Sequence, residues 1–381
     1  MIRRTALAGV TAAALAGSLG GGPTGVVARA DPAVFGSNWN RSGSIVIGHR
    51  GAPGYRPEHT LASYELAARL GADFLEPDLV VTKDGVLVCR HEPEIGDTTD
   101  VASHPEFASR KSTKIVDGVA VSGWFTQDFT LAELKTLRAV ERLPQIRQHN
   151  TLFNGRYQIP TFQELLDLRA RLSNELGRRL GVYPETKHPT FFQVAGLPLE
   201  PRLVEILWRN WLNLPDAPVF VQSFEVTNLK QLRAVGLRTK SVQLLAASGA
   251  PFDTVAAGSG PTYGDLSTPD GLCGIARYAQ GIGPDKLQVI PRKADGTLGS
   301  PTTLVADAHR AGLVVHPYTF RAEENFLPVD YQISAVPTDY GKAIDEQVTY
   351  LRAGLDGLFT DQTDIGVVAR AEFRTATPAG G

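Results

Sequence analysis

The sequence is poor in the features that mark specialised classes of protein. Only two cysteines occur in 381 residues, Cys89 and Cys273, and two do not form a disulfide framework. Cys89 lies in an apolar stretch, which favours a buried free thiol over a bridge. A formal net charge of -2 gives no bulk electrostatic support for nucleic-acid binding. Beyond the first thirty residues, no stretch is apolar and long enough to span a bilayer.

The first thirty residues have a composition of their own. The basic start MIRR is followed by the weakly apolar run ALAGVTAAALAGSLG and by the small-x-small sequence Ala28-Arg29-Ala30. This layout predicts a signal peptide over residues 1–30, cleaved near Ala30, and hence an exported protein that is secreted or held in the periplasm or cell envelope. The general secretory route and the twin-arginine route both fit the pair Arg3-Arg4. Residues 31–44 predict an N-terminal arm.

Short apolar runs alternate with amphipathic stretches over residues 45–370. Such alternation predicts an α/β fold with mostly parallel strand pairing. About eight repeats, with polar residues where strands end and no Gly-x-Gly-x-x-Gly after any strand candidate, favour a (β/α)8 TIM barrel over a doubly wound sheet. The strand candidates number about nine, so one is either antiparallel or false. Two segments, 97–155 and about 246–280, predict insertions, the first of them a lid, and residues 371–381 predict a flexible tail.

One stretch, residues 45–92, contains most of the side chains that could carry chemistry. His49 and His91 each end a short apolar run, and Glu76 and Asp78 lie between them. Residues two apart on a strand share a face, so the two carboxylates should point the same way. The Asp-Gly pair before the second histidine is typical of a tight hairpin turn. Such a turn would set Asp78 opposite His91.

Three carboxylates and two histidines at predicted strand ends form a candidate catalytic centre. Glu76, Asp78 and Glu185 offer hard oxygen ligands, which suit Ca²⁺ or Mg²⁺ better than zinc. His49 and His91 have side chains suited to general acid and base catalysis near neutral pH. For any one of these residues alone, a solvated acid or a structural histidine is the plainer interpretation. Their combination favours a catalytic site.

Other side chains near these positions have two interpretations each. Arg50 and Lys187 either neutralise phosphate oxygens or are solvated surface charges. Glu58 precedes a predicted helix start, so it either orients the first histidine or caps that helix. Tyr318 and Phe320 follow a predicted strand, and they either form a wall for the alcohol part of a substrate or pack at the barrel rim.

In chain order, these residues resemble the signature of glycerophosphodiester phosphodiesterases, most closely the exported, periplasmic-type branch. The resemblance covers residues 46–368. It is carried by the following sequences: His49-Arg50-Gly51, Pro57-Glu58-His59-Thr60, Glu76-x-Asp78, Thr82-Lys83-Asp84-Gly85, His91, Tyr183-Pro184-Glu185-Thr186-Lys187, Gln222-Ser223-Phe224, Gly281-Ile282-Gly283-Pro284-Asp285, Val315-His316-Pro317-Tyr318-Thr319 and Phe359-Thr360-Asp361.

The resemblance implies a TIM barrel that hydrolyses glycerophosphodiesters to sn-glycerol 3-phosphate and an alcohol. It implies that Glu76, Asp78 and Glu185 hold a divalent cation, which is calcium in this branch, with magnesium as the alternative. It also implies phosphate contacts for Arg50 and Lys187. The expected partner is therefore a small-molecule substrate.

The resemblance further implies that His49 and His91 are the acid–base pair. We assign His91 as the base and His49 as the acid, with either water or the glycerol 2-hydroxyl of the substrate as the nucleophile. The family usually has His-Asp at the second histidine, whereas this chain has Glu92, whose longer side chain is expected to support the site from outside. Phe224 is expected either in the substrate wall or in a position that supports the site from outside.

Two other functions remain as alternatives. A related barrel family of phospholipase-D-like enzymes, which act on sphingomyelin or lysophospholipids, shares the His and Glu-x-Asp pattern. The second alternative is a barrel that binds phosphate esters without catalysis. Such a protein would not need the complete set of polar strand ends, although a fold alone never fixes a function.

Overall fold

The structure, a computed structural model, describes residues 43–376 and contains thirteen strands in that range. The strands are β1 (Ile45–His49), β2 (Phe74–Glu76), β3 (Asp78–Val81), β4 (Leu87–Cys89), β5 (Ser112–Val116), β6 (Val119–Gly123), β7 (Gly181–Val182), β8 (Glu185–Thr186), β9 (Phe220–Ser223), β10 (Lys240–Leu245), β11 (Gly281–Pro284), β12 (Val314–Val315) and β13 (Gly357–Thr360). The predicted signal peptide and nearly all of the predicted arm lie outside the described residues.

Most of these strands close into a barrel, which confirms the predicted (β/α)8 fold. One run of hydrogen-bonded neighbours has the order β13-β1-β2-β7, and a second has the order β12-β11-β10-β9-β8-β3-β4. β2 and β3 are two halves of one barrel strand, interrupted at Pro77, and β7 and β8 are halves of the next. A parallel bridge between Phe320 and Thr360 joins the chain after β12 to β13. The surplus strand candidate is β4, which is antiparallel to β3.

The helices that follow the strands form the outer layer. They are α1 (Leu61–Arg69), α2 (Leu131–Leu134), α3 (Phe162–Glu175), α4 (Pro189–Val194), α5 (Glu200–Arg209), α6 (Val226–Ala234), α7 (Phe252–Ala256), α8 (Tyr263–Leu266), α9 (Pro269–Ile275), α10 (Lys286–Val289), α11 (Leu304–Arg310), α12 (Ala343–Arg352) and α13 (Thr363–Ala376). Thr60 caps α1 by accepting a hydrogen bond from the backbone N–H of Ser63. Within residues 43–376, no helix is long and apolar enough to cross a membrane.

The hairpin between β3 and β4 has a three-residue turn, so the predicted register is wrong by one residue. The backbone N–H of Arg90, not of His91, pairs with the carbonyl of Asp78 at 3.0 Å. A two-residue turn of type I′ needs a positive φ at both Asp84 and Gly85, whereas only Gly85 has one, of 82°, and its N–H donates to the Thr82 carbonyl at 3.0 Å. A shift of one residue moves a side chain to the other face of a strand. His91 therefore lies beyond the end of β4.

The two segments predicted as insertions contain short elements of their own. Residues 97–155 contain short 3₁₀ helices, the β5–β6 hairpin and α2, which is only four residues long. Residues 246–280 contain α7, α8 and α9. The predicted tail does not begin at residue 371, because α13 continues to Ala376 and Phe373 packs against the apolar core. Only residues 377–381 of that tail lie outside the described range.

Aromatic side chains fill the interior of the barrel beneath the strand ends. Tyr183 packs against Phe74, Phe220 and Phe359, with ring centroids 5.0 to 6.0 Å apart. Its hydroxyl lies 2.9 Å from His316 Nδ1, and both residues are buried. This packed layer gives the polar residues above it a rigid floor.

Candidate active site

The carboxyl ends of the barrel strands surround a cavity of about 170 Å³. In a barrel of this type the polar residues that end the strands converge at this face. Its lining residues include most of the candidates taken from the sequence, namely His49, Arg50, Glu76, His91, Glu185, Lys187, Phe224 and Tyr318, together with Gln222 and with Arg321, which was not a candidate. Candidates that are far apart along the chain therefore meet at one place.

Three carboxylates form a compact cluster at the base of this cavity. Glu76, Asp78 and Glu185 each offer an oxygen, and these oxygens lie within 4.8 Å of one another. The strand register explains the cluster, because Asp78 and Glu185 are direct neighbours across β3 and β8. Glu185 is in turn the neighbour of Gln222, whose Nε2 donates to Glu76 Oε1 at 3.2 Å. The three acids could hold a metal ion.

The electrostatics of the cluster fit a divalent cation. Burial, with repulsion from Asp78 and Glu185, raises the pKa of Glu76 well above its usual value. Burial also raises the pKa of Glu185 to about 8, against the opposing effect of Lys187. Burial acts the same way on Asp78, but Lys187 and His59 outweigh it and hold the pKa of that carboxyl well below its usual range. A bound cation would relieve this repulsion, and an all-oxygen donor set suits Ca²⁺ or Mg²⁺.

Arg50 lies beside the cluster and is fixed by acids on two sides. Its φ of 55° turns the chain sharply after β1, and its backbone N–H donates to Glu76 Oε2 at 2.7 Å. Its Nη1 donates to Glu58 Oε2 at 2.9 Å, and the same oxygen accepts from Arg142 Nε at 2.9 Å. Glu58 therefore neither orients His49 nor caps α1, which are the two roles considered from the sequence. It anchors the arginine at the cavity wall.

His49 is oriented by an acid from the last barrel strand. Its Nδ1 lies 2.6 Å from Asp361 Oδ1, and since an ionised carboxylate only accepts, Nδ1 carries the proton and Nε2 is left for the cavity. Arg147 Nη2 and Arg321 Nε donate to the other Asp361 oxygen at 2.6 and 2.9 Å. Burial and the charge of Arg50 lower the pKa of His49 to about 4, although Asp361 opposes this.

The ring of His91 is also held by a carboxylate. Its Nδ1 lies 2.7 Å from Glu92 Oε1, so the longer acid does reach the ring. Its Nε2 lies 3.4 Å from Lys187 Nζ, which also forms an ion pair with Glu185 Oε1 at 2.9 Å. Burial, Arg50 and Lys187 lower the pKa of His91 to about 3, so its ring is neutral near pH 7.

Two of the three expected aromatic residues line the cavity. The rings of Phe224 and Tyr318 meet edge to face at 5.8 Å, and Lys187 Nζ lies 5.7 Å from the centroid of Phe224. Phe320 is not part of this wall. It is fully buried against Tyr350 of α12, because the chain after β12 is irregular and the alternation of a strand does not continue.

Several residues of the site were not selected from the sequence. Asp361 was noted only as a strand-end acid, and Arg147 and Arg321, which contact it, gave no sequence signal. His59 Nε2 lies 2.9 Å from Asp78 Oδ2, and its other nitrogen lies 2.7 Å from the hydroxyl of Tyr64. Its position in the sequence Pro57-Glu58-His59-Thr60 was the available signal.

Comparison with known proteins gives a consistent result. A profile of the glycerophosphoryl diester phosphodiesterase family matches residues 49–365. The chain is similar to a glycerophosphodiester phosphodiesterase of Arabidopsis thaliana, with 38% identity over 333 residues, covering 83% of each chain. It is also similar to a glycerophosphodiester phosphodiesterase of Haemophilus influenzae, with 29% identity over 347 residues, covering 86% of this chain and 90% of the relative.

Solved structures share the fold. A putative glycerophosphoryl diester phosphodiesterase from Silicibacter pomeroyi superposes with a TM-score of 0.60 at 20% identity, covering 87% of this chain and 95% of that one. A phosphodiesterase from Oleispira antarctica, solved in complex with the product sn-glycerol-3-phosphate, has a TM-score of 0.55 at 20% identity, covering 87% and 99%.

Proposed function

The chain belongs to the glycerophosphoryl diester phosphodiesterase family, and from this premise we propose that it hydrolyses glycerophosphodiesters to sn-glycerol 3-phosphate and an alcohol. The observation that carries the proposal is the buried cluster of Glu76, Asp78 and Glu185 between two histidines whose Nδ1 atoms are each held by a carboxylate. The product complex of the Oleispira antarctica relative supports the same product class for this chain.

The three carboxylates would hold the cation, Ca²⁺ in this proposal with Mg²⁺ as the alternative. When bound, a divalent cation supplies positive charge to a non-bridging phosphate oxygen. Arg50 and Lys187 line the same cavity and would neutralise the remaining phosphate charge.

The two histidines would move the protons. His91 is the proposed base, because its neutral ring has Nδ1–H directed at Glu92, which leaves the Nε2 lone pair on the cavity side, 3.4 Å from Lys187 Nζ. His49 is the proposed acid, and Asp361 would stabilise the imidazolium form that it needs in order to protonate the departing alkoxide. A phosphate anion arriving in the cavity would favour that protonated form.

Turnover of sn-glycero-3-phosphocholine and sn-glycero-3-phosphoethanolamine tests this proposal. We expect release of glycerol 3-phosphate by the wild type and a loss of at least about 100-fold in kcat for His49→Ala, His91→Ala and Glu76→Ala, as is usual for acid–base and charge-stabilising groups. Near-normal turnover by any of these variants would show that the substituted residue does not have its assigned role. Sphingomyelin and lysophosphatidylcholine are the comparison substrates, and faster turnover of either would favour the phospholipase-D-like alternative.

Export remains a proposal that rests on the composition of residues 1–30. N-terminal sequencing of the protein from its native host tests it. A mature chain that starts near Asp31 is the expected result, and an intact leader on the functional enzyme would contradict it.

A further inference from the structure

A second histidine, His188, contacts the acid that holds His91 but does not line the cavity. Glu92 Oε1 lies 2.7 Å from His91 Nδ1, and Glu92 Oε2 lies 2.9 Å from His188 Nε2. The other nitrogen of His188, Nδ1, lies 2.7 Å from Asp117 Oδ2. The four side chains thus form one continuous chain of hydrogen bonds that ends at the proposed base.

The two outer members come from different parts of the fold. His188 follows β8 directly, with a φ of 45°, and Pro189 then begins α4. Asp117 lies at the tip of the β5–β6 hairpin, where it and Gly118 have positive φ values of 47° and 82°. The insertion at residues 97–155 therefore places the Asp117 carboxylate in contact with His188, outside the cavity.

We propose that His188 and Asp117 are positioning residues for His91, which hold the Glu92 carboxylate against His91 Nδ1 and so keep Nε2 directed into the cavity. This inference rests on the proposed role of His91 as the base. Neither residue touches the cavity, so both act through Glu92.

Glu92 needs such a support because nothing else in the described chain fixes its far oxygen. Its side chain is 47% exposed and has three rotatable bonds, so a single bond to His91 would leave it free to adopt several rotamers. His188 is only 17% exposed, and its backbone is fixed by β8 and Pro189. A second anchor on the carboxylate limits it to one geometry.

The charges agree with this geometry. Burial opposes protonation of His188, but its hydrogen bonds to Asp117 and Glu92 raise its pKa to about 9. At neutral pH it is then a cation between two carboxylates, so both of its nitrogens donate. Charge-assisted bonds of this kind are shorter and stronger than neutral ones.

The test compares kcat and KM for sn-glycero-3-phosphocholine, at saturating metal, between the wild type and His188→Ala, His188→Gln and Asp117→Asn. We expect His188→Ala to lower kcat by about 10- to 100-fold, the usual effect of removing a residue that orients a catalytic group, with KM changed less than about twofold. Asp117→Asn should lower kcat by a smaller factor in the same direction. His188→Gln, which can still donate an N–H to Glu92, should retain more activity than His188→Ala.

The matched control is His104→Ala. His104 also lies between two carboxylates, with Nε2 3.4 Å from Asp100 and Nδ1 3.0 Å from Glu106, but it lies on the surface of the insertion and does not line the cavity. Its loss should leave kcat within about twofold of the wild type, because no contact connects it to His91.

The decisive comparison repeats His188→Ala in a His91→Ala background, with bis(p-nitrophenyl) phosphate as a reactive substrate. A residue that acts through His91 should cause no further loss once His91 is gone. The same fractional loss in both backgrounds, an effect on KM alone, or an unchanged kcat in the single variant would overturn the inference. If His188→Ala does not fold, the same comparisons with His188→Gln decide. Normal turnover by His91→Ala itself would instead refute the proposed base.

Discussion

The contact between Asp361 and His49 allows a quantitative prediction for the substitution Asp361→Asn. The carboxylate accepts from His49 Nδ1 at 2.6 Å and is braced by Arg147 and Arg321. Replacing a charge-assisted bond with a neutral one costs about 1 to 2 kcal/mol. Removing the negative charge costs about 4 kcal/mol more when His49 becomes cationic, taking an effective dielectric of about 20 and a separation of about 4 Å. The total of about 5 to 6 kcal/mol corresponds to a loss in kcat of about 10⁴-fold.

The assay is the release of glycerol 3-phosphate from sn-glycero-3-phosphocholine below the unfolding temperature of every variant. That condition matters because Asp361→Asn removes the acid shared by Arg147 and Arg321, of which, among the described residues, only Arg147 keeps another, Glu323 at 2.7 Å, and should also lower stability by roughly 3 kcal/mol. The matched control is Asp364→Asn, which removes only a contact with the Tyr55 hydroxyl at 2.7 Å and should keep kcat within about twofold. A folded Asp361→Asn protein with kcat within about threefold of the wild type would refute the reasoning.

Three further predictions concern charge and pH. Lys187→Met removes the ion pair with Glu185 and should lower kcat/KM by about 100-fold in steady-state assays. A change below about threefold would contradict the proposed contact between Lys187 and the substrate phosphate. Burial lowers the pKa of His91 to about 3 and that of His49 to about 4, so in the free enzyme the base stays neutral down to about pH 4 while the fraction of protonated acid grows as the pH falls. We therefore expect kcat/KM to rise from pH 7 toward pH 4, and a fall centred near pH 6.5 would contradict this. Burial also lowers the pKa of His316 to about 4, so as the pH falls below 6.5 the unfolded chain binds a proton that the folded chain does not. Urea unfolding should therefore show that the free energy of unfolding drops by about 3 kcal/mol between pH 6.5 and pH 4. In His316→Gln this drop should be smaller by the same amount of about 3 kcal/mol.

The sequence was sufficient for features that depend on short segments. Each candidate ligand and histidine ends an apolar run, and the carboxyl ends of parallel strands meet at one face of a barrel. The sequence alone therefore predicted that Glu76, Glu185 and His91 lie at one site. The extra strand candidate followed from the same local signals, since the turn after β3 was recognisable even though its length was not.

Contacts between distant segments could not be predicted in this way. Asp361 is 312 positions from His49, and His188 is 96 positions from Glu92, so no spacing rule connects either pair. The hairpin register depended on Asp84, which does not take the positive φ that a two-residue turn of type I′ requires at both of its positions, and an Asp-Gly pair alone does not distinguish that turn from a three-residue one. For Phe320 the sequence left both a substrate wall and rim packing open, and no local signal separated it from Tyr318, because the chain is not a strand beyond Val315.

The central claim is that the carboxylate cluster holds a divalent cation that the reaction requires. The most direct measurement is turnover of sn-glycero-3-phosphocholine by enzyme stripped with a chelator and verified by elemental analysis, followed by titration with Ca²⁺ or Mg²⁺, for the wild type and for Glu185→Gln. We predict at least about a 100-fold loss of kcat in the stripped wild type, recovery at one equivalent of bound cation, and greatly weakened recovery in Glu185→Gln. Full turnover by verified cation-free enzyme would contradict the account.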